Sequence, residues 1–189
     1  INKIIFLLLI GAPLFGYNPT SGSLTITRVQ YPGGGDWYSD PSSIPNLLDF
    51  VSKKTNVKVN KIENRAKIGS DEFYLSYYLY LTGHGNINFP DKEIIELREF
   101  LINGGFLHAD DNYGMDESFR REMKKVFPEK EWVELPLSHP IFNIHFKFNN
   151  GLPKIHEHNN LRPQALALFH GGKIIVIYTY ESDLGDGWE

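Results

Sequence analysis

Strands that alternate with helices and close on a hairpin predict an α/β domain: a three-layer sandwich around a mainly parallel sheet with one antiparallel addition. Three observations carry this prediction. Amphipathic stretches separate short apolar runs, those runs end in Gly, Asp or Pro, and the last two are joined by Gly171-Gly172 alone.

Leu24-Thr-Ile-Thr-Arg-Val-Gln-Tyr31 alternates and is rich in β-branched residues, so it reads as the first strand, broken by Pro32 and Gly33-Gly34-Gly35. Pro41-Ser-Ser-Ile-Pro45 offers serine caps to an amphipathic helix over Asn46–Lys54. Val57-Lys-Val59 reads as a short second strand. Asp71-Glu-Phe73 opens a turn before the third strand, Tyr77 to Thr82, which ends at Gly83-His84-Gly85. Pro90 to Ile102 is the clearest helix, with Pro and acids in its first turn and Ile94, Leu97 and Leu101 on one face. Asn103-Gly104 stops it in a left-handed cap. Phe106-Leu-His-Ala109 is the fourth strand and runs straight into Asp110 and Asp111. Glu117 to Phe127 is a third helix, with Asp116 as its cap and Pro128 as its stop. Leu135 to His145 is loop; Ala165–His170 and Lys173–Tyr180 form the hairpin; Gly185-Asp-Gly-Trp-Glu189 is a closing loop.

The 189 residues suffice for one domain, expected over 24–189. Lys3, the apolar run Ile4 to Ile10 and the small residues up to Gly16 have the pattern of a secretory signal peptide over 1–16, followed by a polar spacer over 17–23. The expectation is an exported chain, periplasmic or secreted, with no transmembrane segment once mature. A net charge of −4 without a basic block argues against nucleic acid. Aromatic residues make up 14% of the chain and mostly sit in apolar runs, where core packing accounts for them. There is no cysteine, hence no disulfide, no lipid-attachment thiol and no thiol nucleophile. The chain opens on Ile and closes on a loop where an α/β unit carries a helix, so it is expected to be a piece of a longer product.

In open α/β sheets, ligands bind outside the carboxyl ends of strands. Three polar loops are expected there: Gly33-Gly34-Gly35-Asp36-Trp37, Gly83-His84-Gly85 and Asp110-Asp111. Gly34 and Gly35 can cradle an anion on backbone N–H groups or simply make a wide turn; the spacing is neither a dinucleotide fingerprint nor a P-loop. Asp36 faces a ligand or caps the turn, and Trp37 stacks on a ring or covers the sheet end. His84, between two glycines, is accessible to a ligand. Asp110 and Asp111 are adjacent, so their side chains diverge, one towards the crevice and one towards the following turn. Asp36, His84 and Asp111 are expected to meet in one crevice, and form the candidate set for a divalent cation. His84, Asp110, Asp111 and, on a long loop, His139 are the candidates for acid–base work. His156-Glu157-His158 is a weaker metal pair, on one face if extended. Arg120-Arg121 reads as surface ion pairing, with one arginine in reach of Asp110 or Asp111. Asp183, Asp186 and Trp188 lie on a fourth loop at the same edge.

Arg28-x-x-Tyr-x-Gly-Gly-Gly-Asp-Trp37, Leu81-Thr-Gly-His-Gly85, Asn103-Gly-Gly-Phe-Leu-x-Ala-Asp-Asp111, Phe119-Arg-Arg121, His139-Pro-Ile-Phe142 and the terminal Gly-Trp-Glu occur in one order. Together they resemble the bacterial domain-of-unknown-function family DUF4159, from about Leu24 to the last residue. The resemblance implies a class I glutamine amidotransferase-like fold, a flavodoxin-like sandwich, in a family that is often envelope-associated and has no established activity. Its pattern continues past Glu189 into a further helix and strand. The wider superfamily carries a nucleophilic cysteine at a strand–turn–helix elbow; here that elbow reads Asp110-Asp111-Asn112. Without a thiolate, glutamine amidotransferase chemistry is excluded.

Two functions are left. One is a non-catalytic module that binds a small molecule, a carbohydrate or an envelope protein in the crevice. The alternative is a carboxylate/histidine hydrolase or lyase, working around a divalent cation if it needs one.

Overall fold

The computed structural model describes residues 22–189; the expected leader, residues 1–16, and most of the 17–23 spacer lie outside the described residues. A seven-stranded mixed sheet forms the middle layer. Its strands are β1 (Ile26–Val29), β2 (Asn64–Ala66), β3 (Tyr78–Leu81), β4 (Phe106–Asp110), β5 (Val133–Glu134), β6 (Gln164–His170) and β7 (Lys173–Tyr180). They lie in the order β2-β1-β3-β4-β7-β6-β5. The first five in that order run parallel, and β7-β6 and β6-β5 are antiparallel. From β1 the chain goes outward to β2 and then returns to β3 on the other side, so its winding reverses between β1 and β3.

The period of two along each strand assigns side chains to the two faces. Leu79, Leu81, Leu107, Ala109, Val176 and Tyr178 pack on one face against helices α2 (Asp91–Ile102) and α3 (Asp116–Val126), through Leu97, Leu101, Phe119 and Met123. On the other face Ile26 and Tyr80 meet Ile44 and Leu48 of helix α1 (Ser43–Lys54) and Trp188 of the short helix α4 (Leu184–Trp188). Each fully buried aliphatic or aromatic side chain of this kind contributes about 1.5–3 kcal/mol through burial.

Besides the unpredicted two-residue β5, the structure departs from the sequence reading in four places. The second strand is Asn64–Ala66, paired in register with Thr27–Val29, while Val59 makes only an isolated bridge to Leu24. Polar bonds hold β2 in place: the Asn64 amide donates to Thr27 Oγ1 at 3.1 Å and to the Glu72 carbonyl at 2.8 Å. Helix α1 begins at Ser43, and Ser42, just before it, donates its hydroxyl to the Glu189 carboxylate instead of capping. Asp116 is the first residue of α3, after Met115, and its carboxylate bonds Arg120 and the Tyr178 hydroxyl. The closing segment is the helix α4, which docks on α1 through Asn46 and Ser42.

One buried cation organises the α1 face. Arg28 has no exposed surface; it donates to Glu63 Oε2 at 3.0 Å, the Ser39 and Asp40 carbonyls at 2.7 and 3.0 Å, and Ser43 Oγ at 3.2 Å. It thereby fixes the turn that carries Asp40 to the strand ends.

Candidate functional site

The loops after β1, β3, β4 and β7 share one edge, because these strands are parallel. The reversal between β1 and β3 lies at this edge, the usual ligand position in a wound sheet. Backbone bonds knit the two loops on its sides: Gly35 N donates to the Asn86 carbonyl at 3.0 Å and Asp36 N to the His84 carbonyl at 3.2 Å. Gly83 makes this approach possible, since its φ is +130° and a Cβ there would lie 2.3 Å from the Tyr31 hydroxyl.

The result is a pair. Asp36 accepts from the backbone N–H of His84 with one oxygen, and its other oxygen is 3.1 Å from His84 Nδ1. The His84 side chain is 49% exposed and that of Asp36 35%, so both stay open to a ligand. Facing a carboxylate, Nδ1 donates, which leaves Nε2 as the acceptor of the neutral ring. Gly34 and Gly85 are exposed on the same rim. Trp37 is half-buried against the core and edge-on to Tyr38, which is 60% exposed. Trp37 thus packs on the sheet end with part of its surface still exposed.

Asp110 and Asp111 diverge as adjacent strand residues must, and neither points an open carboxylate at His84. Asp110 has no exposed surface and accepts four bonds: from Tyr80 OH at 3.0 Å, Thr179 Oγ1, Leu184 N at 3.1 Å and Gly185 N at 2.6 Å. It holds the start of α4. The approach needs Gly185, where a Cβ would lie 2.7 Å from Asp40 Oδ2. A buried relay extends from it: Tyr78 OH and Thr179 Oγ1 each lie 3.1 Å from a ring nitrogen of His108, whose imidazole burial holds below its ordinary value. Asp111 turns to the other face, accepting from Tyr178 OH at 2.8 Å and Glu181 N at 2.7 Å. Burial lifts its carboxyl to about 7, against those two donors and with the help of Asp116 and Glu181. The sequence places these acids correctly at the strand end; the donors that turn them inward come from a segment some 70 residues further on.

That segment carries a second polar group. Asp183, at φ +55°, is buried, with Oδ2 at 3.2 Å from His158 Nε2 and 3.6 Å from His156 Nδ1. His156 Nδ1 also lies 3.2 Å from Asp186 Oδ2. Asp40 approaches from the β1 side, its carboxylate accepting from Asn112 at 3.1 Å. Burial, with Asp183, Asp186, Glu189 and Asp110 nearby, raises the Asp40 carboxyl to about 7; burial with Asp110 and Asp186 raises that of Asp183 to about 6. The 153–161 loop that brings the histidines is pinned by Lys154, which donates to buried Glu181 at 2.6 Å, and by Ser182, which donates to the Pro153 carbonyl at 2.6 Å. The His158 ring packs 5.8 Å from that of Tyr113, and His158 feels the charge of His84. The two polar groups are therefore neighbours along one edge.

The remaining candidates lie elsewhere. His139 caps the 3₁₀ turn Pro140–Phe142, its Nδ1 accepting from Ile141 N at 3.3 Å. That turn packs through Phe142 on the β6–β7 side with Leu135, Ala165 and Ile177. Neither arginine of the pair is bonded to Asp110 or Asp111: Arg120 bonds Asp116 and lies over Tyr178 and Tyr180, and Arg121 bonds Glu122, Asn86 and the Ile87 carbonyl. Sequence reasoning missed Asp40, Lys154 and Glu181. Asp40 and Glu181 adopt φ of +51° and +58°, rare for residues other than glycine, and nothing in their neighbours' identities announces it.

A search of the curated proteins finds none that matches. The family comparison gives a positive answer: a model described as a domain of unknown function, DUF4159, matches residues 25–189. With these loops and their order accounted for across nearly all of its length, the chain belongs to the DUF4159 family.

Proposed function

We propose that the domain is a non-catalytic binding module whose ligand enters the crevice between the β1 and β3 loops. One observation carries this reading: at the winding reversal, the Asp36–His84 pair is exposed and mutually oriented, while the acids behind it are tied into the fold. The pair presents two acceptors, His84 Nε2 and the Asp36 carboxylate, to the hydroxyl donors of a small polar ligand. Tyr38, two residues after Asp36 and 60% exposed, and Tyr113, packed on His158 and 57% exposed, are surfaces on which a sugar ring can stack. A carbohydrate of the cell envelope is the ligand class that matches this combination. Thermal-shift and calorimetric titration against an envelope-sugar panel tests the reading. A hit that His84→Ala and Asp36→Asn both abolish supports it; a panel without hits, or hits indifferent to both variants, defeats it.

The finer fold assignment belongs to the same proposal. The parallel strands follow the order β2-β1-β3-β4-β7, and with β7 as the fifth this corresponds to the flavodoxin-like winding. That order supports a class I glutamine amidotransferase-like ancestry from which the nucleophile has been lost. Export is also part of the reading, supported by the apolar run Ile4 to Ile10 behind Lys3. Mass spectrometry of the mature protein from cell fractions should find its N-terminus near Tyr17; intact protein in the cytosol, Leu7 to Leu9 included, refutes export.

A second reading, a hydrolase or lyase, draws on the same pair. A carboxylate that orients an imidazole through Nδ1 leaves Nε2 as a general base towards water or a substrate hydroxyl. Turnover of any ligand found in the panel, lost in His84→Ala while binding persists, selects this reading over the first.

A further inference from the structure

The cluster next to the crevice has a composition that ion pairing alone does not explain. Asp183 is fully buried; among the described residues its carboxylate pairs with two imidazoles, which are charged only if protonated, and with the Asp186 backbone N–H, while its Oδ1 lacks a partner within hydrogen-bonding distance. A buried oxygen left without a partner is unfavourable, and more so when it carries charge. The nearby fixed cations are engaged elsewhere: Arg28 bonds Glu63 and the Ser39–Ser43 turn, and Lys154 bonds Glu181. Asp40 and Asp186 add further carboxylate oxygens within 4.8 Å of an oxygen of Asp183. Carboxylate oxygens therefore gather around a buried aspartate whose Oδ2 faces both imidazoles.

We propose that His156, His158 and Asp183 bind one divalent transition-metal cation of the zinc class, with Asp40 and Asp186 lining the same site. One donor atom from each of the three lies within 4.8 Å of the other two. The distances from Asp183 Oδ2 to the imidazole nitrogens, 3.2 and 3.6 Å, bracket the edge of a tetrahedron with metal bonds of about 2.0–2.1 Å, which is roughly 3.3 Å. Two imidazoles and a carboxylate select zinc and its neighbours over magnesium or calcium, which prefer oxygen throughout. Three protein ligands leave a position for water or for an oxygen of a ligand. His156, with its side chain 60% exposed, opens the site to solvent, and His158 connects it to Tyr113 on the crevice side. The backbone contributes as well: Ile155 N donates to the Ser182 carbonyl at 3.0 Å, holding the histidine segment against the turn that carries Asp183. The site stands on its own residues, and does not depend on what the Asp36–His84 crevice binds.

The test uses the full chain, stripped by a chelator and titrated with zinc against a chromophoric competitor. One zinc per chain is expected, together with a rise in melting temperature that magnesium does not reproduce. His156→Ala, on an exposed side chain, and Asp183→Asn, which keeps a residue tolerant of the left-handed backbone, should each weaken zinc by more than the ~10–100-fold typical of a supporting group. Cobalt bound in place of zinc should show the intense visible absorption of low coordination number, and His156→Ala should lose it. His139→Ala, remote from the cluster, should bind zinc as the wild type does. Absence of stoichiometric zinc, equal competition by magnesium, or undiminished binding in a folded His156→Ala overturns the proposal.

Discussion

The same sheet edge treats its acids in two opposite ways. At the β1/β3 reversal, Asp36 keeps about a third of its side-chain surface in water and meets a single neighbouring residue, His84. Two strands away, Asp110 has no surface left and takes four hydrogen bonds from Tyr80, Thr179, Leu184 and Gly185. Asp110 closes the parallel strand β4, and Asp36 lies in the loop that follows the parallel strand β1. The difference comes from what the loop supplies: glycines on the β1/β3 side hold the two backbones together, whereas the β7–α4 turn aims N–H groups at Asp110. An aspartate at a strand end is thus a binding group or a structural one according to the donors that reach it.

The sharpest way to break this comparison is to neutralise Asp110. Asp110→Asn places an amide donor against existing donors in a dry site, and the loss of unfolding free energy should be about 3 kcal/mol or more. Chemical denaturation of the variant measures it, and a wild-type midpoint would mean that Asp110 is no more structural than Asp36. Next in size is Trp188→Ala, which strips the half-buried indole from Tyr80 and His108 and loosens α4 from α1; about 2 kcal/mol is expected from the lost packing. A melt indistinguishable from wild type would show that α4 is not what Asp110 serves to hold.

The pH dependence sharpens the contrast further. Burial depresses the His108 imidazole from 6.5, so its contribution is complete above the unfolded value and is lost as pH falls through the folded one. Burial raises Asp111 from 3.8 to about 7, so its contribution is complete below pH 3.8 and is lost as pH rises through about 7. Denaturation midpoints across pH 4–8 should therefore decline less on the acid side in His108→Gln and less between pH 4 and 7 in Asp111→Asn. Unchanged slopes would remove both groups from the account. The smallest effect belongs to the exposed pair: His84→Ala should change stability by about 1 kcal/mol or less, read from the same curves, because water competes for its exposed contact with Asp36. A larger loss would place the pair among the structural contacts.

The legibility of this chain follows the same division. β1, β3, β4 and the hairpin declare themselves through buried apolar residues, and α2 through its stripe and cap. β2 does not, because Asn64-Arg-Ala66 pairs by polar bonds at an edge, where no apolar pattern is required. β5, two residues long, is too short to have a period. The site divides likewise. Gly33–Asp36 and Gly83–Gly85 were readable because glycines at strand ends have few other uses. The inward turn of Asp110 and Asp111 was not, since it depends on backbone donors at Glu181, Leu184 and Gly185, remote in the chain. The spacing of His156 and His158 and the strand-end place of Asp183 are legible, but their meeting is not, because it depends on Lys154 and Glu181 clamping the two segments together.

The two borders of the sheet also bear on how copies of this protein meet. A border strand offers free N–H and C=O groups to any passing chain, and long apolar borders invite uncontrolled association. Here β2 offers three residues and β5 two. Arg65 and Glu63 put opposite charges at the first, and Glu134, bound by Arg162 and Gln164, does so at the second. The longest strands, β6 and β7, are both interior. At the second border β5 covers only two residues of β6, so charge, more than strand cover, is what discourages ladder growth there.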